Sequence, residues 1–82
     1  MIYIRNLLAE HEIKVGHYYI KRGAYLAAVN RGQYVVEHFP NSPWVESGLN
    51  MMVMGYKALG LADLVASTQT ILDLNFAPAK QP

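Results

Sequence analysis

The chain repeats itself at an offset of 37 residues, and this repetition constrains its fold more than any other feature. Aromatic, glycine and apolar positions of the first half recur at matching positions of the second half. The matching pairs are Tyr19 and Tyr56, Gly23 and Gly60, Phe39 and Phe76, Val15 and Met52, Ala28 and Val65, and Val35 and Leu72. A repeat of this length is one supersecondary unit, which buries its apolar face by stacking on a neighbour. We therefore expect two similar units packed side by side.

Glycine and proline divide the chain into four stretches, each long enough for a helix. The breaks are Gly23, Gly60 and the segment 39–43, and no stretch shows sustained strand-like alternation. The predicted helices are 2–22, 25–38, 43–59 and 62–75. The expected fold class is all-α, with two helical hairpins stacked as a short α-solenoid.

Start and stop signals support these boundaries. Ser42 is predicted to cap the third helix, with Pro43 at its first helical position. Gly23 and Gly60 are predicted to end the first and third helices, and Pro78 to end the fourth. The units predicted from these signals are a first repeat over 2–40, a second repeat over 43–76 and a frayed tail over 77–82.

Apolar spacing predicts which side chains fill the core. Tyr19 and Tyr56 occupy matching repeat positions, so both are expected to be structural. Met52 lies on the apolar stripe of the third helix and is expected in the core. Met51 and Met54 are assigned instead to contacts with whatever packs next to this helix.

Composition excludes several classes of function. The 82 residues are 52% hydrophobic and 16% charged, so the chain is too apolar to be disordered. A net charge of +1 does not predict nucleic-acid binding. The chain has no cysteine, and no stretch reaches the roughly 18 to 20 apolar residues that span a bilayer, so direct membrane insertion is not expected.

No catalytic, metal or cofactor site is predicted. His11 and Glu12 begin like a zinc-protease helix, but the second histidine of that motif would stand at position 15, which is Val15. No serine–histidine pairing or glycine-rich phosphate loop is present. The sequence therefore predicts a protein that binds other proteins and is not an enzyme.

The first unit resembles the tetratricopeptide repeat. The matching residues are Val15 and Gly16 for its Leu-Gly pair, Tyr19 for its aromatic residue, Ala28 for its small residue and Pro40 for its closing proline. Two positions depart, because Glu12 stands where the pattern prefers tryptophan and Gly32 where it prefers an aromatic residue. The missing bulk predicts a close-packed variant in which a neighbouring helix fills the space.

A narrower resemblance covers nearly the whole chain. The segment 3–43 is similar to the BamD family, lipoproteins of the bacterial outer-membrane β-barrel assembly machine. Its signals are RNLLAEHE (5–12), YYIKRGAYLAAVNR (18–31) and HFPNSP (38–43), and the similarity continues through YKALGLADLVA (56–66). The resemblance implies that these are the last two repeats of such a protein.

The resemblance also implies a location and partners. Members of the family are tethered by a lipidated N-terminal cysteine to the periplasmic face of the outer membrane. Their C-terminal repeats dock on the last periplasmic POTRA domain of BamA, BamE contacts the same end, and their N-terminal repeats are linked with client recognition. This sequence carries neither that cysteine nor the first repeats, so docking on BamA is the function expected of it.

Four residues are the predicted partner-binding site. Arg31 comes first, because the family places an arginine of this VNR run at the BamA interface and a guanidinium binds carboxylates as a planar fork. Asn30, Tyr34 and Arg22 are its expected companions. The plainer alternatives are a solvated Arg31, a Tyr34 that covers a neighbouring helix, and an Arg22 that contacts its own helix terminus.

Other functions remain open from the sequence. The main alternative is a tetratricopeptide adaptor that binds an extended client peptide in its concave groove, along a face that includes Lys14 and Lys21. Two repeats with an open flank are also expected to be prone to self-association or helix swapping.

Overall fold

The computed structural model describes residues 2–76, with side chains from residue 6 onward. This part of the chain forms four helices and no strand, which confirms the all-α prediction. The helices are α1 (Ile2–Lys21), α2 (Tyr25–His38), α3 (Val45–Leu59) and α4 (Ala62–Phe76). The predicted tail 77–82, with its helix stop at Pro78, lies outside the described residues.

Both hairpins turn at a glycine in the left-handed conformation, with φ of +78° at Gly23 and +75° at Gly60. In each turn the residue after the glycine donates its N–H to the carbonyl of the tyrosine five residues before it. These bonds run from Ala24 to Tyr19 at 2.8 Å and from Leu61 to Tyr56 at 2.9 Å. This is the Schellman arrangement that closes many helices. The two repeats thus end their first helices with the same backbone hydrogen bonds.

The third helix begins two residues later than predicted. Ser42 does not cap it: the Ser42 hydroxyl accepts the Trp44 N–H at 3.3 Å in a turn that precedes the helix. Trp44 occupies the N-cap position without a side-chain cap, and the helix starts at Val45. The Trp44 side chain packs against the hydrophobic core, so the chain completes this turn before the helix begins.

The core consists of two clusters joined by α3. The first cluster holds Ala9, Ile13, Ala28, Val35 and Met51, and the second holds Val45, Leu49, Val53 and Leu72. Met52 is half-buried and packs against the second cluster, as expected, whereas Met51 is completely buried in the first cluster, which the sequence did not predict. Tyr19 is half-buried against the first cluster, in agreement with its structural role.

Glycines allow α2 and α3 to approach closely. A Cβ placed on Gly32 would lie 2.5 Å from the carbonyl oxygen of Gly48, and one on Gly48 would lie 2.9 Å from that of Gly32. Further along the same interface, Gly55 meets Val29 and the Tyr25 carbonyl. Gly32, which stands where the tetratricopeptide pattern prefers an aromatic residue, therefore leaves space for α3.

The helices stack in chain order. α2 packs between α1 and α3, α3 also touches α1, and α4 packs on α3 alone among the described residues. Over residues 2–76, no helix combines the length and the apolar character that crossing a bilayer requires. Each end of the stack therefore presents a helix face with no helix beyond it in the described structure.

Candidate protein-docking surface

An ion pair joins the two helices of the first hairpin. Arg31 Nη1 on α2 donates to Glu12 Oε1 on α1 at 2.7 Å. The Glu12 side chain is 17% exposed and the Arg31 side chain 42%. The hydrogen bond and the negative charge of Glu12 raise the pKa of Arg31 above its ordinary value, with a smaller contribution from Tyr19. Arg31 is therefore a fixed cation at the protein surface.

The surface around this pair is a shallow depression of about 280 Å³. Its lining residues are Tyr19, Ala27, Asn30, Arg31 and Tyr34. Three of the four residues predicted from the sequence thus surround one concavity. Asn30 is exposed, and with Arg31 it supplies amide and guanidinium groups at the surface.

Tyr34 closes one side of the depression. It is 41% exposed, and its ring lies 4.3 Å from the ring of His38 and 5.9 Å from that of Phe39, centroid to centroid. These neighbours lie on the same helix and at its end, so the aromatic contacts hold the Tyr34 ring in place while leaving much of it open. An exposed, pre-positioned tyrosine buries area on binding at a small entropic cost.

Arg22 is not among the residues that line the depression. Its Nη1 donates to the Tyr18 hydroxyl at 3.0 Å, and its guanidinium carbon lies 5.4 Å from the centroid of the Tyr18 ring. Tyr18 lies one turn earlier at the end of the same helix. The geometry thus agrees with the plainer alternative for Arg22, a contact with its own helix terminus.

Sequence reasoning missed two members of this surface. Glu12 is not among the residues predicted for the partner-binding site, yet Glu12 accepts the hydrogen bond that holds Arg31. Tyr19 was assigned to the core, yet it also lines the depression. The sequence did carry a signal for this pairing: Glu12 stands where the tetratricopeptide pattern prefers an apolar aromatic residue. A carboxylate that is half-buried at such a position requires a hydrogen-bonding partner.

The surface offers a charged guanidinium, an amide and an aromatic hydroxyl group. Among residues 2–76 no group of three histidine, cysteine, aspartate or glutamate side chains is placed to hold a metal ion. The arrangement is suited to recognising a carboxylate and polar groups on another protein.

Comparison with known proteins decides the family. The profile of the family described as "YfiO: Outer membrane lipoprotein" matches residues 1–72. The chain belongs to the YfiO outer-membrane lipoprotein family.

Curated relatives of this YfiO chain carry the name outer membrane protein assembly factor BamD. The protein of that name from Neisseria meningitidis serogroup B is 38% identical over the whole chain and 32% of its own length. The protein from Haemophilus influenzae is 36% identical over the whole chain and 33% of its own length. The protein from Vibrio cholerae is 31% identical over 92% of the chain and 31% of its own length. The chain spans about a third of the length of the curated relatives it matches, and the BamD resemblance predicted from the sequence is confirmed.

Proposed function

We propose that this chain is a non-catalytic docking module for the assembly of outer-membrane β-barrel proteins, acting at the periplasmic face of the bacterial outer membrane. Its partner would be the periplasmic POTRA domain of BamA, with BamE as a further contact at the same end. The observation that carries the proposal is the depression that groups Asn30, Arg31 and Tyr34 on one face of α2.

The Glu12–Arg31 pair prepares the surface for a partner carboxylate. A guanidinium has five N–H donors, so the bond from Nη1 to Glu12 leaves donors available. Holding the guanidinium in advance lowers the entropy lost when a partner binds. A carboxylate that approaches Arg31 would form a charge-assisted hydrogen bond at the edge of the depression.

Tyr34 and Asn30 would supply the remaining contacts. The exposed face of the Tyr34 ring can bury apolar area, and tyrosine and arginine are enriched among residues that dominate binding energy. Asn30 can satisfy a backbone group of the partner through its amide. The repeats thus act as a rigid support that presents three side chains of different chemistry.

A heteronuclear NMR titration tests this proposal. The labelled chain is titrated with a purified BamA POTRA domain and, separately, with a peptide from an unfolded outer-membrane protein. Docking predicts shifts centred on Asn30, Arg31 and Tyr34 with the POTRA domain. An absence of shifts with that domain, together with peptide-induced shifts along α1 and α3, would overturn the proposal in favour of the peptide-binding adaptor.

A matched pair of variants locates the interaction. Arg31→Ala removes the cation of the depression, whereas Arg22→Ala removes a cation that does not line it. We expect Arg31→Ala to weaken POTRA binding by roughly tenfold or more, which is typical of a binding hot spot, and Arg22→Ala to change it little. Equal losses for the two variants would point to general charge attraction instead of this site.

A further inference from the structure

The outer face of α2 is exposed for a reason that lies within the described structure. α1 and α3 both pack on α2, and α2 and α4 are not in contact among the described residues. In a longer stack, a helix preceding α1 would be related to α2 as α2 is related to α4, so it too would leave this face uncovered. Tyr34 and His38 are both exposed on α2. Their exposure therefore follows from the arrangement of the repeats.

The Tyr34 ring is held between two other aromatic rings. Phe39 meets it edge to face, with the ring centroids 5.9 Å apart, and itself packs against the hydrophobic core. The His38 ring lies closer, with its centroid 4.3 Å from that of Tyr34 and its plane tilted by 35°, and His38 is exposed. Phe39 thus joins the Tyr34 ring to the core, whereas His38 stacks on it from the surface.

Helix geometry places these rings in line with the depression. Side chains on an α-helix lean back toward its N-terminus, so a residue at position i+4 lies over the residue at position i. His38 therefore lies over Tyr34, and Tyr34 in turn lies beside Asn30 and Arg31, with which it lines the depression. A Tyr34 ring that swung away from His38 would leave the depression without one of its walls.

The stacked pair is not part of the structural repeat. The counterparts of Tyr34 and His38, 37 residues further along the chain, are Ile71 and Asn75. The Asn75 side chain donates to the Ile71 carbonyl at 2.9 Å, a contact within its own helix. The second hairpin thus forms without an aromatic pair at these positions, so the needs of the fold do not account for the stack of His38 on Tyr34.

We infer that His38 is a positioning residue of the docking surface, whose stack on Tyr34 holds that ring at the wall of the depression in the orientation that meets the partner. The inference rests on the proposed function, in which Tyr34 is a contact residue. A ring that is held before binding loses little freedom when the partner arrives, and affinity falls with the fraction of chains that hold it there. His38 thus acts on docking through Tyr34.

A double-mutant cycle in calorimetric titrations with the BamA POTRA domain tests the inference. His38→Ala is expected to weaken binding by roughly two- to tenfold, the range that corresponds to an aromatic pair. In a Tyr34→Ala chain, which already binds more weakly, the addition of His38→Ala is expected to change the affinity no further. An equal loss in both backgrounds would show that His38 contacts the partner directly and would overturn the inference.

Two further variants separate the ring of His38 from its polar groups and from general surface effects. His38→Phe keeps an aromatic ring at this position and is expected to bind as the wild type does. Gln33→Ala is the matched control and is expected to leave the affinity unchanged, because Gln33 is exposed on the same helix, donates to Glu37 at 2.9 Å and does not line the depression. Weak binding by His38→Phe, or a loss in Gln33→Ala as large as in His38→Ala, would contradict the role of the stack.

NMR of the free chain distinguishes a failure of this inference from a failure of the proposed function. The couplings that report the χ1 angle of Tyr34 are expected to approach rotamer-averaged values in His38→Ala and to stay unchanged in Gln33→Ala. Unchanged couplings in His38→Ala, or an unchanged affinity for the POTRA domain, would overturn the inference while leaving the proposed function in place. A wild-type chain that does not bind the POTRA domain would overturn the proposed function, and the docking role of His38 with it.

Discussion

Gly32 on α2 and Gly48 on α3 face each other so closely that neither position has room for a side chain. A Cβ on either one would lie 2.5 or 2.9 Å from the other's carbonyl oxygen. The contact joins the two hairpins, because α2 ends the first and α3 begins the second. Because neither residue has a Cβ, α2 and α3 approach closely here, and this contact sets the distance between the two repeats.

Gly48→Ala is expected to lower the free energy of unfolding, by about 1 to 3 kcal/mol, because backbone atoms of α2 have to move to admit the new Cβ. The gain in helix propensity from alanine, up to about 1 kcal/mol, works against this loss. Urea unfolding followed by circular dichroism measures the difference. Asn50→Ala, at an exposed position of the same helix, is the matched control and is expected to be neutral or slightly stabilising. A Gly48→Ala chain as stable as wild type would contradict the packing described.

Met51 and Met54 provide a pair of methionines in the same helix with opposite environments. Met51 is completely buried and lies against Gly16 of α1, whereas Met54 is 43% exposed. Met51→Ala is expected to destabilise the fold by about 2 to 5 kcal/mol, because it leaves a cavity in the first core cluster. Met54→Ala is expected to change stability by no more than about 0.5 kcal/mol, as surface substitutions usually do. Thermal unfolding of both variants makes the comparison, and similar losses for the two would contradict it.

The Glu12–Arg31 pair is expected to contribute little to stability despite its short distance. Arg31 is 42% exposed, so solvent screens the attraction, and a double-mutant cycle with alanine at both positions should give a coupling of about 0.5 to 1 kcal/mol. The raised pKa of Arg31 means that its contribution is complete below the unfolded-state pKa and is lost only as pH rises through the higher folded-state pKa. The coupling measured at pH 6 and pH 9 should therefore be the same. A coupling several times larger would indicate that the pair is chiefly structural.

The hairpins could be predicted from the sequence because their determinants are local. A glycine four residues after a tyrosine closes the first helix of each repeat, and Gly23 and Gly60 take the left-handed conformation that this requires. The start of α3 was harder to predict from the sequence, because Ser42 and Pro43 by themselves match the pattern of a helix N-terminus. The packing of Trp44 on the first core cluster, which involves distant residues, decides where that helix begins.

The site was predictable only in part for a related reason. Helical spacing puts Asn30, Arg31 and Tyr34 on neighbouring positions of one helix, and the structure groups them around one depression. The partner of Arg31 lies 19 residues earlier on another helix, so the unusual charge at Glu12 does not by itself show which residue Glu12 pairs with. The burial of Met51 likewise depends on Gly16, across the interface between α1 and α3.

Exchanging the two charges of the ion pair tests the central claim most directly. The double variant Glu12→Arg with Arg31→Glu keeps a salt bridge between α1 and α2 but places a negative charge on the depression. Calorimetric titration with the BamA POTRA domain is expected to show binding weakened by roughly tenfold or more, while helicity and the unfolding midpoint stay near those of the wild type. Unchanged affinity in a folded double variant would show that the Arg31 surface does not dock this partner, and would contradict the account.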